Sequence, residues 1–173
     1  PISLATQNAL NLKADKGLNI KITTPSNWVT GTSSETEVLK IPIVGGSISP
    51  SDIVKLQNLI VTKEGTNGNI IVKGKLTTSA TMPSGLTDQI FQSPAIASTS
   101  QFVDLYRHFI IENGELKGFP FTSGSYISQG NINGNLIATR AFDVNQTYNL
   151  FISLTLLSGL DRARVESMNI SNL

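Results

Sequence analysis

The chain has no cysteine, one histidine and one tryptophan in 173 residues. The first absence excludes disulfides, thiolate nucleophiles and cysteine-ligated zinc, and it fits assembly in a reducing compartment. A single histidine, His108, leaves no clustered ligand set for a metal. A Ser-His-Asp triad would have to use it, yet it sits in "LYRHFII", inside an expected strand, and no Gly-x-Ser-x-Gly elbow occurs. Charge is scarce too. Asp, Glu, Lys and Arg supply 14% of the residues, where soluble domains usually carry about 25%. Thirteen basic and twelve acidic residues are scattered to a net +1, so there is no basic stripe for a phosphate backbone and no nucleic-acid partner is expected. Neither glycine-rich nucleotide motif is present. No apolar run approaches the roughly 18 residues of a membrane span, and no basic region leads into a short apolar one. Membrane insertion and a signal peptide are therefore not expected within these residues. The carboxylates are dispersed, and only Asp104, beside strand-borne aromatics, invites inspection. These absences predict no enzyme, no cofactor and no metal.

What the chain has instead is hydroxyl and amide: 19 Ser, 17 Thr and 15 Asn. Surfaces of that kind are common in extracellular and viral β-proteins. Apolar alternation at strand length recurs in "EVLKIPIV" (37–44), "LQNLIVT" (56–62), "NIIVKGKLT" (69–77), "FVDLYRHFIIE" (102–112), "NLIATRAF" (135–142) and "TYNLFISLTLL" (147–157). "RARVESMNIS" alternates more weakly and can close the domain as a last strand. A cap-like Ser51 or Asp52 leaves one or two helical turns open as an alternative after residue 51. "ENGE" (112–115) carries Asn-Gly, a strong hairpin signal, and "EGTNGN" (64–69) predicts a second hairpin. The pattern predicts an all-β fold, an antiparallel sandwich or barrel. Long polar stretches at 79–88, 92–101 and 122–134 read as surface loops or binding loops. Two sequons, at Asn145 and Asn169, are treated as chance in an Asn-rich chain.

The opening differs from the rest. In "NALNLKADKG" and "GLNIKITTP", Leu10 and Leu12, then Leu18, Ile20 and Ile22, form one apolar row on each half around Gly17. Such a unit has too little apolar surface to bury itself, and repeats of this kind are stabilised by neighbours. Three copies about an axis would cover the rows.

This opening resembles the shaft repeat of adenovirus fibres, a triple β-spiral that runs into a globular head. In that family the head opens with Thr-Leu-Trp-Thr-Thr, and "SNWVTG" (26–31) is similar, with Trp28 matching the Trp and Thr30 a following Thr, while Asn27 and Val29 depart from it. The resemblance implies a last shaft repeat over residues 1–25 and a β-sandwich head over 26–173. It further implies a homotrimer, with Leu10, Leu12, Leu18, Ile20 and Ile22 as shaft trimer core and Trp28 as shaft–head junction. A divergent animal adenovirus is the best fit. The missing initiator Met predicts a fragment, whose N-terminal part would join the capsid penton base. The implied role is attachment of the virion to a host-cell receptor, a protein or a glycan that can be sialylated. The implied location is the virion surface, after assembly in the host nucleus. Receptor residues do not carry over by motif. The Ser/Gly/Asn-rich loop nominates Ser123, Ser125, Tyr126, Gln129 and Asn131 by its composition. Bacteriophage and reovirus-type spike heads, and a β-sandwich carbohydrate-binding module, remain alternatives.

Overall fold

The structure, a computed structural model, describes residues 17–86, 88–93, 95–118 and 139–173. Among them there is no helix. Eleven strands follow in order: β1 (Asn19–Ile22), β2 (Val29–Thr30), β3 (Thr36–Ile43), β4 (Ile53–Glu64), β5 (Ile70–Thr77), β6 (Gln89–Gln92), β7 (Phe102–Glu112), β8 (Glu115–Gly118), β9 (Thr139–Ala141), β10 (Tyr148–Leu156) and β11 (Arg162–Asn172). The residues after Ser51 continue straight into β4, so the alternative of a helical turn there does not hold.

The strands form two antiparallel sheets. The larger runs β1-β11-β4-β7-β8-β9, with β2 also on β11, and the smaller runs β3-β10-β5-β6. Both contribute to one apolar cluster: Leu56, Leu59, Phe109 and Ile170 from the large sheet meet Ile41, Val72, Leu150 and Leu154 from the small one. Two layers sharing one core are consistent with a β-sandwich. Alternation does most of the sorting. On β7, Val103, Leu105, Phe109 and Ile111 are buried while Phe102, Asp104 and Glu112 are exposed. The two-residue period slips on β4 at Asn58, which takes a positive φ of 52°, and the ladder to β7 shifts between Leu56 and Leu59. This bulge absorbs one residue and returns Leu59 and Val61 to the inner face.

Asn113 and Gly114 both have positive φ, 54° and 74°, and Glu112 pairs with Glu115 across them. This is the expected Asn-Gly hairpin. The other expected hairpin is overturned. β4 is flanked by β11 and β7, whereas β5 lies in the other sheet, so residues 65–69 step between layers rather than reversing within one. The polar stretch after β5 folds back over the small sheet. The Lys75 ammonium donates to the Pro83 carbonyl at 2.8 Å, and the Asn149 amide to the Ser79 carbonyl at 2.8 Å. On β5, Gly74 is required by close approach: a Cβ there would lie 2.0 Å from the Phe91 ring of the paired strand.

The opening segment is covered more fully than its sequence implies. Asn19–Ile22 pairs antiparallel with Met168–Ser171 of the same chain. Leu18 is 5% exposed and belongs to the core cluster. The expectation that nothing in the chain covers this row is therefore corrected at Leu18, because β11 offers it a free sheet edge. Ile20 and Ile22 remain half-buried against the core.

Candidate functional site: the N-terminal strap and its flanking groove

Residues 17–30 lie along β11 as an interrupted edge strand, fastened at intervals. The Leu18 amide donates to Asn172 Oδ1 at 2.8 Å, and the Asn172 amide donates to the Leu18 carbonyl at 3.1 Å. Further along, the Ser26 amide donates to the Val165 carbonyl at 2.8 Å, while the Val165 amide donates to Ser26 Oγ at 3.1 Å. Val29 and Thr30 then pair with Ala163 and Arg162. Between these anchors, half-buried Trp28 has the Arg162 and Arg164 guanidiniums 4.5 and 4.6 Å from its ring. The two arginines are two residues apart on β11, so strand geometry puts both on the outer face. Glu64 holds Arg162 at 2.5 Å and Glu166 holds Arg164 at 2.8 Å. The Arg164 hydrogen bond keeps the Glu166 carboxyl below its ordinary pKa, against a smaller opposing effect of burial. The strap is thus held by cation–π contacts and backbone bonds, and the ion pairs fix the two arginines that contact Trp28.

On the strap's free side lies a groove between β1 and β3, the edge strands of the two sheets. Ile20 and Ile22 form one wall, Pro42 and Val44 the other, and Lys40 is the one charged residue among the described lining. Val44 is 61% exposed.

The other polar clusters are internal. Lys63 and Asp161 meet at 2.9 Å with both side chains 1% exposed. The Lys63 ammonium also donates to the Gly65 and Ser98 carbonyls, which occupies its three N–H groups. Asp161 accepts from the Asn67 amide, the Asn67 side chain and the Gly68 amide at 2.8–3.1 Å. Burial pushes the Asp161 carboxyl up, but these hydrogen bonds outweigh it and hold its pKa far below the carboxylate range. In the small sheet, Glu35 accepts from Lys75, Ser153 and Lys73 at 2.8, 2.8 and 2.9 Å. Burial again opposes, and the hydrogen bonds again win, so the Glu35 pKa is lowered. Arg140 joins the two sheets by its 3.0 Å ion pair with Asp88. Arg107 faces the interior of the large sheet, where burial lowers its guanidinium to about 10. Burial, with Lys55 nearby, also lowers His108, which lies 6.3 Å from the Tyr106 ring. Asp104 is exposed on β7 opposite Ile60. Among the described residues no three His, Cys, Asp or Glu side chains gather as a metal site.

The structure therefore brings Leu18, Ile20, Ile22 and Trp28 onto one strap, with Leu18 turned into the chain's own core. Leu10 and Leu12, and the loop positions Ser123, Ser125, Tyr126, Gln129 and Asn131, lie outside the described residues. Sequence reasoning missed the two arginines on Trp28. The available signal was "RAR", two cations at strand spacing, but nothing in it names their partner. No protein-family model and no curated protein matches the chain.

Proposed function

We propose that this chain is the distal end of a trimeric attachment fibre of the adenovirus kind, a β head on a shaft that holds a virion to a host-cell receptor. The observation that carries the reading is the strap. A head that works at the end of a stalk must take up tension where the stalk joins it. Residues 17–30 enter along a whole sheet edge, with ladder pairs at β1 and β2 and Trp28 fixed between them by Arg162 and Arg164. Pulling on such a strap loads several hydrogen bonds in shear at once.

Attachment needs no reaction chemistry. Three weak sites on a head, and many heads on a particle, raise avidity by about 100-fold or more without any new contact. Shallow polar loops suffice for such sites, and the Ser/Gly/Asn-rich 122–134 stretch is the candidate, with a protein or sialylated glycan as receptor. The N-terminal part of such a fibre would join the capsid penton base. The deciding experiment is sedimentation with light scattering, which should give about three times the 18.5 kDa of the chain. A stable monomer overturns the reading. On the trimer, alanine at Tyr126 and Gln129 should abolish cell attachment, and a glycan array then separates a sugar receptor from a protein one.

A further inference from the structure

The chain carries three Asn-Gly pairs, at Asn67, Asn113 and Asn133, and the last lies outside the described residues. An asparagine loses its own amide most readily before glycine, which has no side chain to shield its backbone nitrogen. The two described pairs look alike locally: both asparagines are exposed, and each sits in a short link between two strands. Their tertiary surroundings differ. We infer that Asn113 is a self-modification site, converted without an enzyme to aspartate and isoaspartate, and that Asn67 is locked against the same reaction by Asp161.

In the reaction the Gly114 amide nitrogen gives its proton to water or hydroxide and attacks Asn113 Cγ. The N–Cγ bond forms, the Cγ–Nδ2 bond breaks, and Nδ2 takes up a proton and leaves as ammonia. Water then opens the cyclic imide at either carbonyl, and no oxidant or reductant is needed. At the other pair both reacting groups are held. The Gly68 amide, the nucleophile, donates to Asp161 Oδ2 at 2.8 Å, and the Asn67 side-chain amide, the leaving group, donates to Asp161 Oδ1 at 2.9 Å. The Gly68 backbone is also packed, since a Cβ there would lie 2.7 Å from Ser158. At Gly114 a Cβ would meet nothing within 4 Å. Its anchor is its carbonyl, which accepts from the Phe142 amide at 2.8 Å, on the far side of the residue from the attacking nitrogen. Among the described residues no side chain grips Asn113 as Asp161 grips Asn67. The product differs from the parent in charge and shape. Lys117 already serves two carboxylates, Glu112 at 2.7 Å and Glu115 at 3.8 Å, and conversion adds a third beside them. Isoaspartate also lengthens the backbone of a two-residue turn by one methylene, which takes the β7–β8 hairpin out of register.

The test incubates the whole protein in mildly alkaline heavy-oxygen water and maps its peptides by mass spectrometry. In the folded protein Asn113 should take up heavy oxygen at least about ten times faster than Asn67, the ratio expected where a charge-assisted hydrogen bond must break before attack. In urea, with the clamp gone, the two should convert at similar rates. Asp161→Ala, checked for folding by circular dichroism, should speed conversion at Asn67 and leave Asn113 at its wild-type rate. Folded wild-type protein in which Asn67 converts as fast as Asn113 overturns the inference. So does a folded protein that keeps the Asn113 amide while the urea-unfolded chain loses it, or a folded Asp161→Ala variant in which Asn67 stays as slow as before. If Asp161→Ala does not fold, the wild-type comparison with and without urea still decides.

Discussion

Lys63 and Glu64 are neighbours on β4, and Asp161 and Arg162 are neighbours at the start of β11, yet the two ion pairs they form live in different media. Glu64 and Arg162 are directly opposed in the ladder, point outward, and are 49% and 48% exposed. Lys63 and Asp161 are one residue away, point inward, and are 1% exposed. The outer pair competes with water and salt and contributes little. The inner pair has given up its hydration and depends on its partners, so removing one group strands the other. It also closes the end of the molecule: Asp161 gathers the amides of Asn67 and Gly68 from the link between layers, and Lys63 reaches the Ser98 carbonyl. A one-residue step along a strand separates a clasp from a surface contact.

The sharpest way to break this comparison is Lys63→Ala. It leaves a buried carboxylate without its cation, and we expect the thermal midpoint to fall by about 10 °C. The double replacement Lys63→Met with Asp161→Asn should recover part of that loss, because neither charge then remains buried and the Asn oxygen can still accept from the Asn67 and Gly68 amides; a double variant as unstable as the single would show that shape, rather than pairing, matters at this site.

Next in size is the acid response. The folded pKa of Asp161 is depressed below its ordinary 3.8. Its contribution is therefore fully present above about pH 4 and fades as pH falls towards the folded value, where the native carboxylate finally takes up its proton. Glu35, also lowered from its ordinary 4.5, acts in the same direction. Urea midpoints measured from pH 6 downward should decline below about pH 4. In Asp161→Asn they should begin lower and fall less steeply.

Trp28→Ala comes third. It removes a half-buried ring and both of its cation contacts, and equilibrium unfolding should register about 2 kcal/mol. The smallest effect belongs to the outer pair. Arg162→Lys keeps the charge opposite Glu64 and should cost less than about 1 kcal/mol. The difference from wild type should shrink further in high salt, as befits an exposed pair.

Much of the fold was legible in the chain. Strands 36–43, 70–77, 102–112 and 148–156 fall within a residue or so of the apolar alternations that predict them. The Asn113-Gly114 hairpin follows from two residues that accept positive φ. The 64–69 link was misread because a Gly-containing loop of five residues suits a reversal and a step between sheets equally well. Which one occurs depends on the neighbours of β4, and both its edges are taken. The strap shows the same division. Alternation identified Leu18, Ile20 and Ile22 as one row, but the cover over Leu18 comes from β11, about 150 residues downstream, a long-range pairing that no local pattern announces. The arginines on Trp28 were hidden for the same reason.

By itself the sequence determined the class of object: an all-β chain whose strand parities and one turn are set by side-chain period and backbone freedom. The strand read at 56–62 stops short of Lys63, which β4 carries inward two residues after Val61. Only the tertiary structure decided that this inward lysine meets Asp161, that Trp28 meets Arg162 and Arg164, and that Ile20 and Ile22 pack against the core while also lining a groove. Local rules fix which face of a strand a residue occupies. What waits on that face is contributed by segments distant in the chain, and burial, which sets the worth of every contact, exists only once they have come together.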